Sequence, residues 1–395
     1  MISVEEAKRI LIENTIKADK TCTRSINNCS GYFTSSDIFS SVDLPPFDQS
    51  NVDGYATAFS KINSRKIINE IKAGDNPKCI IKSGEAVRIF TGAVVPKGTD
   101  FIVMQENVIR NQNRLILNEF EIKKGNFIRP KGSQIKKGEL AVAGNTFVTP
   151  AVAGFIAALG IEKIKVFKKP EISLIITGSE LQTPGVKLKP GMVYDSNSYL
   201  IRSALKEMGL KISKAIFIKD IKSLLKKHTK EIIDQSDLVL ISGGVSVGMY
   251  DFVNEILEEL GVSKLFYKVA QRPGKPLYFG KAGSTYVFGL PGNPASVFTC
   301  FYEYVYPLLR KLLGFRDHFL QSVKLQSEKE LNKSFNLGNF LKARMTANGV
   351  EPLDGQASYI LRTFTGADCL IYLPAGKLLV KKGEEVEVHL LPDHR

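Results

Sequence analysis

Three short apolar runs, each followed by a glycine-bearing loop, constrain the middle of this chain more than any other feature. Ile172–Ile176 is apolar apart from Ser173, Leu238–Ile241 is wholly apolar, and Tyr286–Leu290 runs straight into Pro291-Gly292. Short runs without polar alternation suit strands covered on both faces, as in a parallel sheet. Helical patterns separate them. One runs from Ser198 to Met208 and stops at Gly209, and a long helix is expected from Pro294 to about Leu313. Alternating strand and helix predict an open, mostly parallel sheet with helices on both faces.

The flanks read differently. Ser3-Val4-Glu5-Glu6 is a capping box, and Val4, Ala7 and Leu11 follow at helical spacing, so a helix opens the chain. From Ile26 to Asn145 the pattern is short β-like runs such as Ala86–Phe90, Phe101–Met104 and Arg114–Leu117, with turns at Lys124-Gly125 and Lys137-Gly138. Thr149-Pro150 pairs an N-cap with a first-turn proline and predicts a helix through Leu159. Beyond Gly314 the texture is β again, with Phe340–Met345, Leu370–Leu373 and Val386–Leu391 between turns at Gly349, Gly355 and Gly383. The expectation is a multidomain α/β chain. Residues 1–25 and 146–170 form a helical and linker part, 26–145 a β-rich domain, 171–315 the α/β domain and 316–395 a small C-terminal β domain.

Composition excludes more than it selects. In 395 residues the longest apolar patch, Ala151–Leu159, falls far short of the ~20 residues a membrane span needs. Glu5 and Glu6 interrupt any secretory signal, so a soluble cytoplasmic protein without membrane partners is expected. The five cysteines form no C-x-x-C pair and the four histidines are scattered, which argues against disulfides and structural zinc. The net charge of +14 fits an anionic partner, or simply solvated lysine faces such as Lys222, Lys226, Lys227 and Lys230. No helix-turn-helix, RNP or basic-aromatic pattern accompanies the charge, so a nucleic-acid partner is not expected.

In an open α/β sheet, ligands bind beyond the carboxyl ends of the strands. Three strand-end loops therefore belong to one edge: Thr177-Gly178-Ser179-Glu180-Leu181, Ser242-Gly243-Gly244-Val245-Ser246-Val247-Gly248, and Gly289-Leu290-Pro291-Gly292-Asn293-Pro294. The segment Tyr194-Asp195-Ser196-Asn197-Ser198, which opens a helix, belongs nearby. Glycines let backbone N–H groups approach a phosphate, and Ser242 and Ser246 add hydroxyls. Glu180, Asp195 and Asp251 place carboxylates beside this cradle, which suits a bridging hard cation such as Mg²⁺. Lys275, in Arg272-Pro273-Gly274-Lys275-Pro276, adds positive charge. Each feature alone has a bland reading as a turn or a helix cap; together they describe a metal-assisted enzyme acting on a phosphate-bearing ligand. There is no P-loop, dinucleotide fingerprint or G-x-S-x-G nucleophile.

At this point the segments resemble a known family. Leu44-Pro45-Pro46-Phe47-Asp48-Gln49-Ser50-Asn51-Val52-Asp53-Gly54-Tyr55-Ala56 is similar to the PPFDNSAMDGYA signature of the molybdopterin molybdenumtransferases, the group of bacterial MoeA and the gephyrin E domain. Arg88-Ile89-Phe90-Thr91-Gly92-Ala93 resembles the R-I-x-T-G-A motif, and Val103-Met104-Gln105-Glu106 follows it. The strand-end loops, Asp195-Ser196-Asn197 and Pro273-Gly274-Lys275-Pro276 match in order, so the resemblance runs from about residue 2 to the C-terminus.

The resemblance implies a four-domain homodimer that binds adenylylated molybdopterin and molybdate, uses Mg²⁺ or another divalent cation, and releases AMP with the finished cofactor. It also implies contact with the adenylylating enzyme and with apo-molybdoenzymes. Asp53, Thr91, Glu180 and Asp251 would be catalytic, with Glu180 and Asp251 also holding metal. Asp195, Ser196, Asn197, Asp220, Ser242, Gly243, Gly244, Ser246, Lys275, Pro291, Gly292, Asn293 and Pro294 would bind substrate. The chain departs from the pattern at Ser179, at Lys219-Asp220-Ile221, at Arg272 where lysine is common, and at Gln49 to Val52. Two other readings fit a chain of this kind: a molybdopterin-binding scaffold or anchor without turnover, and the adenylylation step itself. The retained acidic residues speak against the first, and the second and fourth domains against the other.

Overall fold

The computed structural model describes residues 1–117, 123–219, 221–243 and 249–392; the side chains of 249–252 are outside the description. The chain divides into two compact units, one spanning Thr21–Val166 and the other combining Met1–Lys20 with Phe167–Arg395.

The opening helix α1 spans Val4–Asn14, and the Ser3 hydroxyl accepts from the Glu6 N–H at 3.0 Å, as the capping box predicts. Residues 1–20, grouped above with 146–170, pack in the second unit: Val4, Ala7 and Leu11 share a core with strand Ile172–Thr177.

The Thr21–Val166 unit holds a six-stranded sheet in the order Phe101–Met104, Gly54–Thr57, Glu85–Ile89, Ser64–Ile71, Arg114–Leu117, Val108–Asn111. Alternation sorts its side chains: Ala56, Val87, Ile89 and Ile102 enter one cluster, while Tyr55, Ala86, Phe101 and Val103 enter the other. Gly54 is required by contact, since a Cβ there would lie 1.9 Å from the Val103 carbonyl oxygen. Helix α2, Pro150–Ala158, starts at Thr149, whose hydroxyl accepts from the Val152 N–H at 3.3 Å. Its Ile156 packs with Cys29, Val142, Val148, Ile164 and Val166.

The second unit is built on a sheet in the order Ile212–Ile218, Ile172–Thr177, Leu238–Gly243, Thr285–Leu290, Tyr278–Ala282, Ser263–Tyr267. The first four strands are parallel; Tyr278–Ala282 runs antiparallel to them, and Ser263–Tyr267 pairs antiparallel with it. Helices α3 (Asn197–Glu207), α4 (Lys222–Ile233) and α5 (Met249–Glu259) connect the strands. Ile172, Leu174 and Ile176 pack with α1, with α3 and with the helices after residue 294, whereas Ile175, Val239 and Ile241 pack with Leu225, Ile232, Ile256 and Leu257 of α4 and α5. Both faces of the central strands Ile172–Thr177, Leu238–Gly243 and Thr285–Leu290 are thus covered, and each buried aliphatic side chain contributes roughly 1.5–3 kcal/mol of transfer free energy.

The single helix expected from Pro294 to Leu313 is instead three segments: α6 (Pro294–Cys300), a π turn (Phe301–Val305) and α7 (Tyr306–Leu313). Pro307 explains the interruption. It has no N–H to donate, and its ring crowds the carbonyl of residue 303, so the preceding turn widens. Glu303 and Tyr304 in that turn are buried. Burial alone would push the Glu303 carboxyl up, but Lys8 at 2.5 Å and His389 at 2.7 Å hold it at about 2.

The C-terminal sheet runs Gln271–Arg272, Gly338–Met345, Cys369–Leu373, Glu385–Leu390, Ser322–Gln326, with Val350–Pro352 beside Gly338–Met345. Its first strand comes from the α/β region: Gln271 pairs with Gly338 and Arg272 with Asn339.

Candidate functional site

Thr177, Gly243 and Leu290 end three adjacent parallel strands, with Thr177 opposite Gly243 and Ser242 opposite Leu290. A side chain at Gly243 would meet the Thr177 carbonyl oxygen at 2.4 Å, so only glycine lets the strand ends approach this closely. Asn197, at the start of α3, ties two loops together: its amide donates to Ser242 Oγ at 3.2 Å and to the Gly292 carbonyl at 2.8 Å. Its buried Oδ1 has no hydrogen-bond partner among the described residues. Asp195, 2% exposed, accepts from both the N–H (3.1 Å) and the hydroxyl of Ser198, so its carboxylate is engaged in starting α3. Ser196 is half-buried beside it. Glu180 follows Gly178-Ser179 and is half-buried at the end of its strand, with its carbonyl accepting from Val193 N–H at 2.8 Å. Asp220, Gly244 and Ser246 lie outside the described residues; Asp251 falls in the first turn of α5, but its side chain is outside the description.

A cleft of about 290 Å³ opens beside the Pro291-Gly292-Asn293 loop, lined also by Arg272, Lys275, Ser296 and Ser358. Arg272 and Lys275 are both exposed, and neither has a carboxylate within ion-pair distance among the described residues. The Arg272 guanidinium lies 4.8 Å from the Phe335 ring centroid, which steadies it without neutralising it. Asn293 precedes α6 but does not cap it; its amide donates instead to Ser358 Oγ at 2.9 Å. Pro291 is buried and Pro294 begins α6. A larger hollow of about 590 Å³, lined by Tyr194, Tyr199, Phe298, Tyr302 and Phe364, flanks Asp195 and Ser196. It is largely aromatic, with Asp195 and Glu207 as its acidic lining, whereas the two cations lie in the smaller cleft.

In the other unit, Asp53 and Thr91 are brought together although 38 residues separate them. Asp53 Oδ1 accepts from Thr91 N–H at 2.8 Å and from its hydroxyl at 2.7 Å. These two bonds, aided by Arg88, hold the Asp53 carboxyl below its ordinary value. The Asp53 carbonyl accepts from Gln105 N–H at 3.1 Å, which fixes the loop on the sheet.

Comparison with known proteins decides the family. Residues 2–160 match the MoeA N-terminal region (domain I and II), 173–311 the probable molybdopterin binding domain, and 325–391 the MoeA C-terminal region (domain IV). A molybdopterin molybdenumtransferase of Nostoc sp. is 32% identical over 417 residues, covering 99% of this chain and 94% of its own. One of Haemophilus influenzae is 30% identical over 404 residues, covering 99% and 100%. The chain belongs to the molybdopterin molybdenumtransferase family. A solved MoeA protein of molybdopterin biosynthesis from Pyrococcus horikoshii, 30% identical, superposes over the whole of both chains with a TM-score of 0.81.

Set against this family's motifs, the structure adds residues that the sequence pattern did not single out. Ser358 and Ser296 line the charged cleft, yet a lone serine in a C-terminal loop or inside a helix carries no local signal. Only the fold brings Ser358 to Asn293.

Proposed function

We propose that this molybdopterin molybdenumtransferase joins molybdate to adenylylated molybdopterin, releasing AMP and the finished cofactor. The observation that carries this reading is the pair of cations, Arg272 and Lys275, which have no carboxylate partner among the described residues, in a cleft walled by a strand-end loop. Two positive charges lining one cleft suit an anion, which oxyanion and phosphate groups supply. The adjoining strand-end loops offer backbone N–H groups and the Ser242 hydroxyl to phosphate oxygens, and Asn197 keeps two of those loops in register. Asp53 and Thr91 of the β-rich section remain proposed catalytic residues. No covalent nucleophile is needed, because holding two anions in reacting geometry and stabilising developing charge carry an exchange of this kind.

Mg²⁺ is part of the proposal. A cation of this kind takes one or two carboxylates and completes its shell with phosphate and water. Glu180 and Asp251 would hold it, and it would supply charge neutralisation at the phosphate. Asp195, Ser196, Asp220, Gly244 and Ser246 remain proposed substrate contacts. The molybdopterin-binding character of the parallel sheet, the homodimer, a cytoplasmic location, and contact with the adenylylating enzyme and apo-molybdoenzymes belong to the same reading. No described helix is long and apolar enough to cross a membrane. A purely anchoring role gives no reason for the paired cations.

The test is ligand capture. Incubated with adenylylated molybdopterin and no molybdate, the native protein should retain the intact adenylylated pterin through gel filtration, identified by mass spectrometry. Recovery of no pterin at micromolar protein would contradict the assignment.

A further inference from the structure

Gln271 sits directly before the cation-bearing loop, and every polar atom of its side chain is committed to that loop or its support. It is 1% exposed. Its Nε2 donates to the carbonyls of Pro273 and Gly274, each at 3.2 Å. Its Oε1 accepts from the hydroxyl of Tyr304, which is fully buried in the π turn. This orientation of the amide is dictated by its surroundings, since the reverse would set Oε1 against two carbonyl oxygens. Beneath the loop lies the Cys300 thiol. Gly274 has φ +86°, and a Cβ there would lie 2.4 Å from Cys300 Sγ, so the loop rests on the helix without clearance.

The Gly274 carbonyl belongs to the peptide that begins Lys275, so fixing it fixes the direction in which Lys275 leaves the backbone. Arg272, on the other side of Pro273, is fixed through its pairing with Asn339 of the C-terminal sheet. Gln271 is therefore where the cation loop, the π turn and the C-terminal sheet meet. Neither Arg272 nor Lys275 touches Gln271 through its charged head, so any influence on an anion must pass through loop geometry.

We propose that Gln271, backed by Tyr304, is a positioning residue that aims the Arg272 and Lys275 charges at the anionic substrate. This rests on the reading of the cleft as the anion site. Loss of such pre-set geometry costs more than the hydrogen bonds themselves, because a misplacement on the order of 1 Å in a reacting group lowers efficiency up to about 100-fold.

The experiment is a coupled variant series read as kcat and as KM for molybdate in AMP release from adenylylated molybdopterin. Gln271→Leu should raise KM roughly tenfold or more. Tyr304→Phe, which keeps the ring and removes only the hydroxyl, should move KM the same way by roughly threefold. The deciding comparison repeats both changes in a Lys275→Gln background. A residue acting through the loop charge should then cost less than about twofold, because sites that act as one unit are not additive. Equal losses in both backgrounds, or no change in KM from either variant, would overturn the inference. Should Gln271→Leu fail to fold, Tyr304→Phe makes the same comparison alone. A Lys275→Gln single variant with unchanged KM would overturn the anion reading of the cleft itself, and is told apart because it does not involve Gln271 at all.

Discussion

Asp53 shows how a single residue's chemistry was legible while its setting was not. A carboxylate next to Gly54 in a family-like segment marks the position, but the two hydrogen bonds from Thr91 come only from pairing of strands Gly54–Thr57 and Glu85–Ile89. Thr91 lowers the Asp53 carboxyl, so Thr91→Val, which removes one of the two donors, should raise it toward the ordinary carboxylate value. NMR titration of the Asp53 carboxyl reads this; an unchanged titration midpoint would show that the hydroxyl contact does not form in solution. Asp195 is the opposite case. An aspartate just before a helix reads equally as ligand contact and helix start, and Ser198 occupies both its oxygens in the folded chain. At Glu180 the expectation is functional: Glu180→Ala should lower turnover by roughly 100-fold or more while leaving the melting temperature within a few degrees. Near-normal turnover would remove it from the mechanism.

At the scale of elements, the strands and caps were legible because they follow local rules. Ile172–Thr177 and Leu238–Gly243 are apolar because both faces are covered, and Ser3 and Thr149 cap the helices that follow them. The π turn was not legible, because a proline can end, kink or widen a helix and only packing selects among these. Its consequence is a buried Glu303–His389 pair, joined by partly buried Lys8 and exposed Glu387, which ties together α1, the π turn and strand Glu385–Leu390. Burial would lower the His389 pKa, but Glu303 and Glu387 raise it above its ordinary 6.5. A raised histidine stabilises the fold fully below that ordinary value and loses the contribution as pH rises through the folded one; lowered Glu303 does the reverse, fading as pH falls from 4.5 toward about 2. Thermal melts of the native protein should therefore decline, as pH rises above 6.5, more than those of His389→Gln. Parallel curves would show that the cluster does not titrate with folding.

For the whole molecule, what the sequence could not show was long-range assembly: a serine at 358 reaching Asn293, or a strand at 271 completing a C-terminal sheet. Sequence patterns report on neighbours a few residues away, whereas these contacts depend on how separate cores meet. The proposed homodimer predicts a sedimentation mass twice the chain's 43.7 kDa at micromolar concentration; a species at the single-chain mass would contradict it. The net charge of +14 should give only weak, salt-sensitive binding to random DNA, falling by about 10³-fold between 50 and 200 mM salt if several phosphates are contacted. Molybdate insertion is read most directly by AMP release from adenylylated molybdopterin with and without molybdate in a single turnover. One AMP per pterin should be released, only when molybdate is present, with molybdenum recovered on the product. AMP released at the same rate without molybdate, or none released with it, would contradict molybdate insertion as the reaction.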